Sequence, residues 1–210
     1  MGLLFDENTR RHIAERCAAF ARQPAAEPAP ALKRAAVAIT LVATDEAPGR
    51  TALLLTLRAA GLRAHRSQWA LPGGRCDAGE TSIEASLREL HEELGIALEA
   101  DDVLGLLDDY PTRSGYLITP VVVWAAARAA ISSNPAEVAS VHRIALEEIE
   151  RPEAFDFVAI PESTRRVIRF RHAGQFIHAP TAALIYQFRE VLAGRATRVA
   201  DLEQPVFAWK

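Results

Sequence analysis

The stretch from Thr81 to Gly95 leaves a chain like this the fewest choices. Thr81 and Glu84, three positions apart, carry the pattern of a capping box, in which each side chain satisfies a backbone N–H left unpaired by the first helical turn. The helix therefore starts near Ser82. Gly95 stops it, because glycine takes the left-handed conformation at a helix end without a Cβ clash. Between them Ile83, Leu87, Leu90 and Leu94 recur at i, i+4, i+7 and i+11, an apolar stripe that must face a core. The flanking sequence supplies short apolar runs bounded by turn residues, at 35–44 and 52–57 before the helix and at 103–109, 116–125 and 138–144 after it. Such runs read as buried strands. A first helix is expected over 6–22, with Ile13, Cys17 and Phe20 on one side, and a last one near 181–193. An acidic stretch at 147–153 and a basic one at 165–171 lie between the last strand and that helix. This order predicts an α/β chain with a mixed β-sheet covered by helices on both faces. It divides into an N-terminal helix with an Ala/Pro-rich spacer (1–32), a main domain (33–195) and a C-terminal tail (196–210).

Composition narrows the functions open to such a fold. The chain has 210 residues, half of them apolar, enough for one sizeable core. A net charge of -3 with no basic arm argues against a nucleic-acid partner. Cys17 and Cys76 are far apart and outside metal-ligand spacing, so they read as free thiols of a reducing compartment. The start lacks a basic segment followed by an apolar run, and the stretch "TPVVVWAAARAAI" is too short to span a bilayer and is broken by Arg128. We expect a soluble, cytoplasmic protein with no membrane partner.

The same helix carries an unusual second face. At about 100° per residue, Glu89, Glu92 and Glu93 fall on one arc roughly opposite the apolar stripe, and Ser82, Ala85 and Ser86 precede them on that arc. A solvated acidic face is the bland alternative. Against it, like charges at i,i+4 cost roughly 0.2–0.5 kcal/mol, and Arg88 is the only lysine or arginine on the helix. A divalent cation would reverse that penalty, and hard oxygen ligands select magnesium or manganese. The preceding loop, "LPGGRCDAGE", fits the same purpose. Gly73 and Gly74 allow a close backbone approach, so that a carbonyl can join a metal shell and N–H groups can meet phosphate oxygens.

These residues resemble a known pattern. Gly74, five residues, Glu80, seven residues, Arg88-Glu89-Leu90, one residue, Glu92-Glu93, one residue and Gly95-Ile96 match the Nudix box at every defined position. The resemblance implies the Nudix fold, an α/β/α sandwich. It also implies hydrolysis of a nucleoside diphosphate linked to another moiety, with Mg²⁺ or Mn²⁺ as cofactor. Upstream, "LLTLRAAGLRAHRSQWALPGG" resembles the signature of Nudix enzymes that cleave coenzyme A. Leu54, Leu55, Thr56, Arg58, Arg63, Pro72, Gly73 and Gly74 match it, while Ala59, Ser67 and Leu71 replace its Ser, Gly and Phe. The downstream "LLDDYPTRSGYLITPVV" is similar to the same group. The substrate implied is coenzyme A or acyl-CoA, split into 3′,5′-ADP and (acyl-)4′-phosphopantetheine. ADP-ribose, NADH or another nucleotide derivative is the nearest alternative, and a nucleotide-sensing module that does not cleave is the second.

Carried onto this chain, the resemblance makes Glu89 and Glu93 the first metal ligands and the Gly74 carbonyl a third. Glu92 is either a further ligand or the group that takes the proton of the attacking water. Glu137, in "NPAEVA", resembles a loop glutamate that some Nudix enzymes use as general base; a solvated loop residue is the alternative. Glu80 and Arg88 are expected to pair and hold the loop against the helix. Arg58, Arg63 and His65 are the candidates for phosphate recognition, since arginine forks suit phosphates. Tyr110, Thr112, Ser114 and Tyr116 are expected to line the same cleft. Trp69, Trp124 and Trp209 read as packing residues, and His178 as a strand-to-helix corner. A homodimer is an expectation by analogy with other Nudix enzymes.

Overall fold

Asp6 starts the first helix, α1 (Glu7–Ala19), by accepting the Thr9 N–H at 2.8 Å. The computed structural model describes residues 3–23, 32–46, 49–61, 67–125 and 130–208; Arg63, His65, Trp209 and most of the Ala/Pro-rich spacer lie outside them. The strands β1 (Lys33–Ala43), β2 (Thr51–Arg58), β3 (Trp69–Ala70) and β4 (Gly73–Arg75) lead into α2 (Ser82–Leu94). Next come β5 (Val103–Leu106), β6 (Tyr110–Pro111), β7 (Tyr116–Trp124), β8 (Val138–Ala145) and the short α3 (Leu146–Glu150). A second sheet, β9 (Phe155–Ile160), β10 (Ser163–His172) and β11 (Gln175–His178), precedes α4 (Thr181–Leu192).

The first eight strands form one sheet with the central order β3-β2-β1-β7-β5. β1 and β7 run parallel, while β2 and β4 are antiparallel to β1, so the sheet is mixed. Side chains alternate between faces along a strand, and the core splits accordingly. Ile39, Leu41, Leu53, Leu55, Val122 and Trp124 meet α1, α3 and α4 on one face. Ala38, Val42, Ala52, Leu54, Val121 and Val123 meet Leu90 and Leu94 of α2 on the other. Helices thus cover both faces, the α/β/α arrangement expected. Among the described residues no helix is long and apolar enough to cross a membrane.

One element lies outside the sequence reading, and one expectation needs correction. The basic stretch at 165–171 is a strand: Val167, Ile168 and Phe170 are buried while Arg165, Arg166 and Arg171 face outward. A register shift between Ser163 and Val167 spoils the period of two, so the pattern never resembled a strand. Tyr110 does not line a cleft. It is 1% exposed in the core, and its hydroxyl donates to the Leu202 carbonyl at 2.7 Å.

Candidate active site

The capping box forms as read: the Glu84 N–H donates to Thr81 Oγ1 at 3.2 Å and the Thr81 N–H to Glu84 Oε2 at 2.8 Å. Gly95 ends α2 in the left-handed conformation at φ 69°. The three carboxylates that follow from this phasing have unlike surroundings. Glu92 keeps half of its side chain in solvent, Glu89 keeps 15%, and Glu93 only 3%. Glu93 therefore does not lie opposite the apolar stripe. Ser82, Ala85, Ser86, Leu90, Glu93 and Leu94 are the buried residues of the helix, so its covered face is centred on the small residues and leads into Glu93. The stripe's earlier members, Ile83 and Leu87, are only half-buried.

Burial pushes the Glu93 carboxyl up to about 8, despite the Arg58 guanidinium 3.6 Å away and an N–H from Gly73. Burial also raises Glu89, against the pull of Arg88. Arg88 spends its whole fork on this corner. Its Nε and Nη2 donate to Glu80 at 2.9 and 3.1 Å, its Nη1 to Glu89 and Glu92 at 2.9 and 3.2 Å, and its Nη2 also to the Arg75 carbonyl at 3.0 Å. Glu80 in turn accepts the Asp77 N–H at 2.7 Å, so loop and helix are tied through one ion pair.

The Gly73–Gly74 loop is held against the sheet by pairing of β4 with β1, Gly74 opposite Ala36. A Cβ on Gly73 would meet the Ala36 carbonyl oxygen at 2.3 Å, which is backbone and cannot move aside. A Cβ on Gly74 would meet Glu89 Oε1 at 2.3 Å. Only glycine lets the chain run this close to that carboxylate. On the far side, the loop before β8 is pinned to the end of α2: the Ser132 and Asn134 N–H groups donate to the Leu94 and Glu93 carbonyls at 2.9 and 2.8 Å. This brings Glu137, which accepts the Asn134 side-chain amide at 3.2 Å, close enough that its charge raises both Glu89 and Glu93.

The donor set is all oxygen, the chemistry that suits Mg²⁺ or Mn²⁺, and among the described residues the buried Glu93 has only the Arg58 guanidinium, 3.6 Å away, as a cationic partner against its desolvation. Both features fit a divalent cation. Among the described residues no three carboxylate, thiol or imidazole groups already converge on one point. Arg88 instead supplies the positive charge to Glu89 and Glu92.

Beside this corner lies a cavity of about 540 Å³. Arg58, Gly73 and Gly74 belong to its wall and also touch the carboxylates. Thr112, Ser114 and Tyr116 line it from the β6–β7 turn, and the Tyr116 hydroxyl accepts a hydrogen bond from Arg75. Arg63 and His65 fall outside the described residues. Trp124 packs in the core, stacked on Phe5 at 4.0 Å. Trp69 does more than pack: its ring stands edge-on to His142 and His172 and also walls the cavity. His178 does sit at the β11–α4 corner, and it too faces the cavity. Sequence reasoning missed Phe176, Ile177 and Phe207 in this wall. They come from the unread sheet and the tail, and nothing local in their sequence marks them.

Comparison with known proteins adds an independent line. A sequence model of the NUDIX domain matches residues 32–166. A protein from Pectobacterium atrosepticum described as an uncharacterized Nudix hydrolase NudL is 37% identical over 147 residues, covering 68% of this chain and 76% of that one. Its counterpart from Yersinia enterocolitica is 37% identical over 154 residues, covering 72% and 77%. The crystal structure of a MutT/nudix family protein from Enterococcus faecalis matches with a TM-score of 0.50 at 19% identity, over 90% of this chain and 73% of that one, a likeness of fold alone.

Proposed function

The chain belongs to the Nudix hydrolases, and we propose that as a Nudix diphosphatase it cleaves coenzyme A or acyl-CoA into 3′,5′-ADP and (acyl-)4′-phosphopantetheine. The observation that carries this reading is Arg58, the arginine of the upstream "LLTLR" run, 3.6 Å from Glu93 and in the wall of the adjoining cavity. The coenzyme A signature and the box glutamates thus meet in one corner.

In this reading Glu89, Glu93 and the Gly74 carbonyl hold Mg²⁺ or Mn²⁺, with Glu92 completing the set. Bound there, a divalent cation would offset the negative charge of a diphosphate and lower the pKa of a nearby water. Glu137 takes the proton of that water, held in place by Asn134. Arg58 steers the phosphates, with Arg63 and His65 as further recognition residues. Thr112, Ser114 and Tyr116 border the bound substrate, and Glu80 with Arg88 keeps the loop on the helix. The test is a panel of coenzyme A, ADP-ribose, NADH and oxidised nucleotides incubated with Mg²⁺ or Mn²⁺, with products identified by mass spectrometry. The expected products are 3′,5′-ADP and 4′-phosphopantetheine. Turnover of ADP-ribose or NADH with none of any coenzyme A species overturns the substrate assignment.

A further inference from the structure

Arg58 and Arg75 both belong to the cavity wall, and they are placed differently. Arg58 reaches Glu93 in the carboxylate corner. Arg75 points elsewhere. Successive side chains of a strand leave on opposite faces, so where a Cβ on Gly74 would meet Glu89, the next side chain of β4 emerges on the cavity side. Among the described residues Arg75 pairs with no carboxylate. Its partner is Tyr116, whose hydroxyl accepts from Arg75 Nη2 and whose ring centre lies 5.2 Å from the guanidinium carbon. The register explains how these two meet from strands that do not pair. Arg75 stands opposite Ala35 of β1, Ala35 opposite Ile118 of β7, and Lys33 opposite Tyr116. Ala35 carries only a methyl group, so the Arg75 side chain can cross β1 to reach β7. Lys33 lies on the same face of β1 as Ala35 and diagonal to Arg75, within reach of a long side chain. It is exposed, and among the described residues its ammonium enters no ion pair.

This end of the cavity therefore holds a surplus of donors. The Arg75 fork spends an N–H on Tyr116 and keeps the rest, and the Tyr116 hydroxyl, having accepted, still has its own proton to give. The turn beneath is fixed: Thr112 Oγ1 accepts the Tyr116 N–H at 2.9 Å and lies 3.1 Å from the Ser114 hydroxyl, which also faces the cavity. The other cations around it are occupied. Arg88 is held by Glu80, Glu89 and Glu92, Arg113 by Glu203, and Arg34 donates to the Ser82 hydroxyl from the opposite face of β1. A solvated arginine is the ordinary alternative. Against it, the tether to Tyr116 takes conformational freedom from the side chain and holds its guanidinium on the cavity wall. A guanidinium, an ammonium and a phenol proton with no carboxylate among them complement a dianion, and an arginine fork matches the oxygens of a phosphate.

We infer that Arg75, Tyr116 and Lys33 form a second anion subsite, which binds a phosphomonoester on the nucleoside arm of the substrate, apart from the diphosphate that is cleaved. The inference rests on the diphosphatase reading above and deepens it by assigning residues to one feature of the substrate. Coenzyme A carries such a group on its ribose; ADP-ribose and NADH do not. Arg58, Gly73 and Gly74 are shared by the cavity and the carboxylate corner, so one ligand can have its diphosphate at the glutamates and a further phosphate at Arg75. The subsite touches no reacting atom. Its contribution is equal in ground state and transition state, so its loss is read in KM and not in kcat.

The experiment uses two pairs of compounds on the full chain, each pair differing only in the phosphomonoester. Coenzyme A and dephospho-coenzyme A are compared by kcat/KM, and 3′,5′-ADP and AMP by calorimetric titration, which needs no turnover. The parent should favour the phosphorylated member at least about tenfold in both, as a charge-assisted hydrogen bond would give. Arg75→Gln should remove most of both ratios, the kinetic one through KM. Arg75→Lys, which keeps the charge and loses the fork, should recover part of them, and Lys33→Gln should lower them by a smaller factor. All three positions are exposed or at the strand ends, and circular dichroism melts confirm that the variants fold. A parent that binds 3′,5′-ADP and AMP alike, or ratios that Arg75→Gln leaves unaltered, overturns this inference even where coenzyme A is hydrolysed. If no coenzyme A species is hydrolysed while the calorimetric preference is present and Arg75→Gln removes it, the coenzyme A reading falls and the subsite stands.

Discussion

At Glu93 the requirements of folding and of cation binding pull in opposite directions. An unfolded glutamate titrates near about 4.3, whereas burial pushes the folded Glu93 up to about 8. Between those values the folded chain keeps a proton that the unfolded chain has released, so stability from this group falls as pH rises through the window. A divalent cation reverses the balance, because it binds the ionised carboxylate and displaces the proton. Glu93→Gln removes the titration while keeping the shape. In cation-free protein we predict that this variant melts several degrees above the parent at alkaline pH, because a shift of this size is worth a few kcal/mol, and level with it near pH 4. Its kcat should fall by about 10²–10³-fold. Thermal melts at the two pH values and steady-state kinetics check both. The Glu93 environment was only partly legible in the sequence. The box spacing named the residue, but stripe-counting put it opposite the core, because Ser82, Ala85 and Ser86 are small enough to let α2 settle with that side against the sheet.

At the scale of elements, helix α2 was readable because its stop signals and its period are local. The second sheet was not, because its bulge and its arginines hide the alternation. The tail is one of the links that fasten that sheet to the large one. Glu203 accepts both arms of the Arg113 fork at 3.1 and 2.6 Å, the Ser163 hydroxyl at 2.7 Å and the Gln204 N–H at 3.0 Å. Its own N–H donates to the Arg166 carbonyl at 2.9 Å. One buried carboxylate thereby joins the β6–β7 turn, β10 and the C-terminal segment. The Arg113 guanidinium above all holds the Glu203 carboxyl down at about 2. A depressed folded pKa gives stability that is fully present above the unfolded value of about 4.3 and is lost as pH falls toward 2. Glu203→Gln should cost about 2 kcal/mol at neutral pH, the worth of hydrogen bonds to a charged group, and the two proteins should converge in stability across that acid window. Urea melts at several pH values read this directly.

Over the whole molecule, distant segments converge where the sequence carries no mark of it. The cavity wall draws on residues near 58, 112–118, 175–184 and 204–207. Asp108 performs a similar gathering on the other side. It accepts the Gln23 N–H at 2.7 Å, the Gln187 amide at 3.0 Å and Arg198 Nη1 at 3.0 and 2.8 Å, joining the N-terminal segment, α4 and the tail. Asp108→Ala should destabilise the fold by about 2 kcal/mol, as losing hydrogen bonds to a charged acceptor does, with unfolding measured in denaturant. The box and the coenzyme A signature were legible because their chemistry is set by short spacings; the cavity was not, because only the folded topology assembles it. The account as a whole turns on the acidic corner being a cation site that glycine makes room for. Its most direct test is a titration of Mn²⁺ followed by electron paramagnetic resonance, on the parent chain and on Gly74→Ala. We predict saturable binding by the parent and at least about tenfold weaker binding by the variant, whose Cβ displaces Glu89. Equal binding by both chains, or none by the parent, contradicts it.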